Sequence, residues 1–222
     1  FLLNRSSDLT LSPFGGQADL QSGIVRAVGV PRQRFTEDAL RILRLYRFAA
    51  RFGFSIDPPT AQAAQELCAH LDCVSVERIE EELAKLLAAP APAAYLDKKI
   101  LLVILPELSS EALAAAKPVV DACPAGEEAL PVRLAALLLS LGEDGTRKAL
   151  KRLRCSNACI EQTAVLVRGK GGSGGRFLLG HEKGLRHPAD ASCFEQHSHP
   201  AGRCSNSNSL FPPQAAVVAV AG

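Results

Sequence analysis

The stretch TEDALRILRLYRFAARFGF, Thr36 to Phe54, reads as a helix. Thr36 suits an N-cap, Glu37 and Asp38 fall in a first turn where carboxylates favour the helix dipole, and Gly53 stands where a C-cap glycine belongs. At about 100° per residue, Leu40, Ile42, Leu43, Tyr46, Phe48 and Phe52 spread around most of the circumference, which predicts a largely buried helix. A step of three residues falls roughly 60° short of a full turn, so Asp38, Arg41, Arg44 and Arg47 trace a slanted row across it.

Charges beside so much apolar surface need partners, yet the stretch holds two carboxylates against four arginines, counting Arg51. Two readings stand open. In one, the arginines lay their stems along apolar surface and pair within the helix, as Glu37 with Arg41. In the other, an anionic ligand lies across the row, for which the planar guanidinium fork is suited to phosphate. Asp38 and Arg41 add a finer signal: a carboxylate only accepts and a guanidinium only donates, so the pair presents an acceptor beside a donor. Adenine and cytosine offer the complement on their pairing edge, whereas guanine and uracil would leave buried groups unpaired.

Three runs in order, SPFGGQADLQSGIVRAVG (Ser12 to Gly29), RFTEDALRILRLYRFAARFGF (Arg34 to Phe54) and VSVERIEEELAKLL (Val74 to Leu87), resemble the consecutive neck motifs of bacterial tRNA nucleotidyltransferases, the CCA-adding enzymes. The bacterial poly(A) polymerases share much of the pattern. A weaker likeness continues through RLAALLLSLG and LKRLRCSNACIEQTAVLVR to about Arg168. The resemblance implies that Glu37, Asp38 and Arg41 read the incoming CTP or ATP and that Arg44 and Arg47 help hold the nucleotide. It implies transfer to a tRNA 3′ end assisted by Mg²⁺, whose aspartate ligands sit in a head preceding the neck. This chain opens at FLLN, like the end of the motif that closes the head, and holds no Asp-x-Asp pair after a Gly-Gly-x-x-Arg-Asp stretch. The expectation is therefore a fragment, inactive alone. It departs from the family again at Ser12, where Asp is common; Pro13, Gly15 and Gly16 still allow a tight turn. Asp19 and Arg26 match positions near the hinge and suit a structural ion pair as well as a ligand role. The place of a His-Asp doublet found in some relatives holds Leu139 and Ser140, so no phosphohydrolase activity is expected.

The chain has 222 residues, 47% of them hydrophobic, enough for a buried core in one or two domains. Its formal charge of +2 does not declare a nucleic-acid binder, but local charge does: Arg26 to Arg51 is markedly positive. Lys151, Arg152 and Arg154 form a second cluster that suits either tRNA phosphates or a solvated helix end. Apolar runs such as ILLVILPEL are broken by proline or charge, no signal peptide is visible, and the seven cysteines lack regular spacing. These features predict a cytoplasmic protein with reduced thiols and no membrane contact. No protein partner is evident.

Strand signals are scarce and the fold class is mainly α, with a short irregular or strand remnant at the N-terminus. Helices are expected at about residues 60–71, 76–87, 93–103, 110–122, 129–141, 145–153 and 157–168, the second capped by Ser75. The domain reading is 1–30, remnant of head and hinge; 31–90, helical neck that reads bases and binds RNA; 91–168, helical body; and 169–222, a low-complexity tail expected to be disordered. In that tail Gly169, Gly171 and Gly174 have dinucleotide-binding spacing without a preceding strand, and read as linker. Cys193, His197, His199 and Cys204 suit zinc by type but fit no standard finger. Besides the CCA-adding reading, a poly(A) polymerase fragment and a free-standing helical RNA-binding module remain open, as does a truncated product without activity.

Overall fold

A computed structural model describes residues 15–169, all within one compact unit. Helix α1 (Gly16–Ser22) leads to a two-residue strand β1 (Ile24–Val25), helix α2 (Pro31–Glu37), helix α3 (Leu40–Phe52) and a second short strand β2 (Ser55–Ile56). The strands pair in parallel, Ile24 against Ser55 and Val25 against Ile56. Helix α4 (Pro58–Glu66) and a 3₁₀ segment (Cys68–Cys73) precede α5 (Val76–Leu87). A 3₁₀ turn (Ala93–Tyr95) then leads to α6 (Lys98–Ile104) and α7 (Ser110–Ala122). The last elements are α8 (Leu130–Leu138), α9 (Gly142–Arg152) and α10 (Asn157–Gly169).

The expected helix from Thr36 is corrected by a break. Pro31, with its φ preset and no N–H to waste, starts α2, and Thr36 and Glu37 lie in that helix's last turn. Asp38 turns extended, at φ −148° and ψ 104°, and its Oδ1 accepts the Leu40 N–H at 3.1 Å. A short carboxylate competing for nearby backbone donors favours such a break over helix continuation. Thr36 therefore caps nothing; its hydroxyl donates to the Arg32 carbonyl. Gly53 does end α3 in the left-handed region, at φ 67°.

Two further expectations shift. Ser75 occupies the N-cap position of α5 but makes no side-chain capping bond. The helix expected over 93–103 is split because Asp97 caps α6, its Oδ1 accepting from Lys99 and Ile100 backbone N–H groups. The glycines beyond residue 169, Cys193, His197, His199 and Cys204 lie outside the described residues, as do residues 1–14.

Helix α3 packs against α5 and α2 against α4, while α8 packs against α7 and α10, and α9 against α10. Ile42, Leu43, Leu45 and Ala49 of α3 meet Leu83, Leu86 and Leu87 of α5 in one core that continues into Leu134, Leu137 and Leu138 of α8. Arg133 of α8 lies inside it, wholly buried. Its guanidinium donates to the carbonyls of Leu87, Ala89, Pro90 and Cys123, gathering the ends of α5 and α7. Burial pushes its pKa below the ordinary range. No described helix is long and apolar enough to cross a membrane.

Candidate functional site

The break at Asp38 makes the α2–α3 junction a charged corner. Glu37 ends α2, Asp38 forms the corner and Arg41 stands in the first turn of α3. Glu37 Oε2 takes Arg34 Nη1 at 2.9 Å and Arg41 Nη1 at 2.8 Å. These contacts, that to Arg41 foremost, hold the Glu37 carboxyl below its usual range. Arg41 also donates to the Arg34 carbonyl at 3.0 Å, so its guanidinium is tied to α2 from α3. The Glu37–Arg41 pair expected within one helix thus bridges two. Asp38 Oδ2 meets Arg78 Nη2 of α5 at 3.3 Å.

One and two turns farther along α3, Arg44 and Arg47 face α5. Glu82, a buried carboxylate, lies 3.4 Å from Arg44 Nε and 3.0 Å from Arg47 Nε. The Arg47 guanidinium also sits over the Phe48 ring, 4.2 Å from its centroid. Burial lowers the Arg47 pKa, Glu82 opposes that, and the like charges of Arg44 and Arg51 add to it. The row therefore packs its stems in apolar surroundings and gathers the Arg44 and Arg47 cations about a carboxylate of α5.

Buried Nε atoms of Arg34 and Arg41 have no hydrogen-bond partner in this arrangement. The corner therefore keeps two donors unsatisfied beneath its surface. Asp38 supplies the neighbouring acceptor. Helix α5 contributes Arg78 and Glu82, at i and i+4 on one face, and neither was singled out from the sequence. The signal for Glu82 was the excess of arginine in Thr36–Phe54, which called for a carboxylate from elsewhere; sequence alone could not choose among Glu80, Glu81 and Glu82.

The second basic cluster is not brought to this corner. Arg152, at the end of α9, makes a two-pronged contact to Glu107, with Nε to Oε1 and Nη2 to Oε2 both at 2.8 Å, and donates to the Ile104 carbonyl. Arg154 pairs with Glu77 in the first turn of α5, and Lys151 is exposed. Arg26 pairs with Asp19 at 2.8 Å and lies 3.8 Å from Asp57, a structural ion pair at the hinge-like segment. No group of three or more His, Cys, Asp or Glu among the described residues could hold a metal ion.

Residues 53–111 match the family described as "Probable RNA and SrmB- binding site of polymerase A". The CCA-adding enzyme of Lactiplantibacillus plantarum is 48% identical over 83 residues, 37% of this chain and 20% of that protein. The CCA-adding enzyme of a Geobacillus strain is 48% identical over 80 residues, 36% of this chain and 20% of its own length. The chain thus spans about a fifth of the curated relatives it matches. Among solved structures, the Bacillus stearothermophilus CCA-adding enzyme in complex with CTP superposes with a TM-score of 0.62 at 30% identity, covering 72% of this chain and 41% of that one. A tRNA-processing enzyme in an apo form, 21% identical with a TM-score of 0.55, shares the fold. Over its helical region the chain is akin to the CCA-adding enzymes, a likeness carried by local sequence, by a family model and by the fold.

Proposed function

We propose that this chain carries the base-reading neck, residues 31–90, and the RNA-supporting body, residues 91–168, of a nucleotidyltransferase that adds CCA to tRNA 3′ ends from CTP and ATP. The α2–α3 corner carries this reading. The chain breaks at Asp38 so that an acceptor carboxylate and the Arg41 guanidinium, pinned by Glu37, stand at one end of α3. The pairing edges of cytosine and adenine complement such an acceptor and donor, and the likeness to a CTP-bound enzyme supports the assignment. Arg44 and Arg47 are assigned to the nucleotide's phosphates. Lys151, Arg152 and Arg154 are assigned to RNA phosphates, although Arg152 and Arg154 also tie helices together.

The resemblance implies two Mg²⁺ ions that activate the attacking hydroxyl and steady the leaving pyrophosphate. The described residues do not fit them, since no suitable cluster of ligating side chains is present among these residues, and none is placed in that role. A cytoplasmic setting is proposed with the tRNA substrate; Cys68, Cys73, Cys155 and Cys159 are free thiols. The matched family's printed description favours poly(A) addition as the second reading.

Titration of CTP, ATP, GTP and UTP into the full chain tests the corner. CTP and ATP should bind at least about tenfold tighter than GTP and UTP, the worth of roughly one net hydrogen bond. Asp38→Ala and Arg41→Ala should each erase that preference. Equal binding of all four nucleotides refutes base reading.

A further inference from the structure

The two arginines that close α9 are tied differently. Arg152 is enclosed: Nε and Nη2 take the two oxygens of Glu107 at 2.8 Å, and Nη2 also donates to the Ile104 carbonyl at the end of α6, which leaves only Nη1. Its side chain is 41% exposed and that of Glu107 31%. Arg154 meets Glu77 through Nη1 alone and keeps Nε and Nη2; these two side chains are 67% and 50% exposed. A two-pronged pair that also holds a helix-end carbonyl is a structural tie. A one-pronged pair in water contributes little and opens readily.

The backbone makes the same distinction. Arg154 stands at φ 57°, in the left-handed region, and is the only non-glycine residue with positive φ among the described residues. Its N–H donates to the Lys151 carbonyl and that of Cys155 to the Leu150 carbonyl, so Arg154 holds the place after a helix that glycine fills without strain. One exposed ion pair does not offset the conformational cost of an arginine there. Glu77, for its part, does not depend on Arg154. It sits in the first turn of α5, where its own backbone N–H foremost, and Arg154 after it, hold the carboxyl below the usual range. Once released, it stays solvated and favoured by the dipole of α5.

We propose that Glu77 is an internal stand-in for an RNA phosphate, an anion that keeps Arg154 paired until RNA displaces it, whereas Arg152 keeps Glu107 and serves the fold. This rests on the RNA reading above. Displacement exchanges one exposed ion pair for another, so Glu77 sets RNA affinity by a few-fold and does not switch binding on or off.

The test measures binding of a labelled tRNA transcript lacking its 3′ CCA to the full chain and to Glu77→Gln, Glu107→Gln, Arg154→Gln and the double variant Glu77→Gln/Arg154→Gln, each checked for native helix content by circular dichroism, at about 50 mM salt. Glu77→Gln and Glu107→Gln each remove one negative charge beside the same basic cluster, so a general change of field would tighten both alike. The expected result is about threefold tighter binding in Glu77→Gln. Glu107→Gln should show no gain, because Arg152 stays held at the Ile104 carbonyl, and Glu77→Gln should show none in the Arg154→Gln background. Arg154→Gln by itself should weaken binding and lower the slope of log K against log salt by about one. Equal gains in the two glutamate variants, no gain in Glu77→Gln, or a gain that survives Arg154→Gln overturns the proposal. If Glu107→Gln does not fold, the double variant decides alone. The RNA reading itself fails, and the proposal with it, when Lys151→Gln and Arg154→Gln both leave binding unchanged.

Discussion

Arg133 ties together four carbonyls at the ends of α5 and α7, and its replacement by methionine isolates that contribution. Methionine is similarly long and apolar, so the core around Leu134 and Leu137 keeps its volume while the guanidinium is removed. Four carbonyls then lose a charged donor: Leu87, Ala89 and Pro90 at the end of α5, and Cys123 after α7. A hydrogen bond to a charged group is worth about 1.5–3 kcal/mol net. Four of them at the low end would sum to about 6 kcal/mol, but removing a buried cation recovers part of its desolvation cost. Its Nε, buried without a partner, shows that the cation is not fully compensated. The expected loss is therefore about 4 kcal/mol, near the cost of breaking a buried polar network and a large share of a typical domain's 5–15 kcal/mol. With a urea slope near 2 kcal/mol per molar, the unfolding midpoint of the full chain should fall by about 2 M. Arg133→Lys keeps a charge but offers one nitrogen in place of a fork, and should fall by roughly half as much. A midpoint within about 0.3 M of the parent in Arg133→Met would refute the reasoning, because the carbonyls would then be content with water.

The thiols give a simpler check. Burial, the nearby Glu80 charge and Cys159 push the Cys155 thiol up to about 12, so in the native chain at about pH 8 iodoacetamide should label exposed Cys73 well before Cys155. Comparable labelling rates would contradict the burial. Glu80 itself is raised above its ordinary carboxylate value, by burial first and then by Glu81 beside it. A carboxylate raised by folding binds its proton more tightly in the native state, so its contribution to stability is lost as pH rises through the window above the ordinary value. Relative to Glu80→Gln, the parent should therefore be more stable at about pH 5 than at about pH 7, read as the difference in urea midpoints; a constant difference refutes it.

Element by element, the sequence revealed helices where apolar periodicity was strong and failed where one polar side chain redirected the backbone. The helices at 76–87 and 110–122 fell where periodicity put them. At Asp38 the apolar pattern ran straight across a break, because Leu40 and Phe35 are buried on either side of it and periodicity registers only burial. Pro31 after Val30 was the overlooked sign, since proline favours the first turn of a helix and α2 starts there. Asp97 split a second helix in the same manner. The row of arginines was legible as a row needing counter-charge, but its counter-charge came from α5, and only the packing of α5 on α3 selects Glu82. Arg133 was equally visible as a lone arginine inside LPVRLAALLL; the carbonyls it gathers come from segments up to 46 residues away. The basic residues at 151–154 suited either RNA phosphates or a solvated helix end from sequence; the pairing of Arg152 with Glu107 and of Arg154 with Glu77 needed the fold.

The two-residue ladder between Ile24–Val25 and Ser55–Ile56 has a mechanical consequence. Gly23 and Val25 carbonyls accept Ser55 and Asp57 N–H groups at 2.8 and 3.0 Å, so the chain leading to α2 is fastened to the chain leaving α3. Tension applied upstream of Gly23 along the strand reaches the far end of α3 through these bonds before it reaches Pro31. Because the strands run parallel, such a pull loads the bonds in shear, and they bear it together rather than opening one at a time. Helices α2 and α3 are thereby closed into a loop fastened at its two ends.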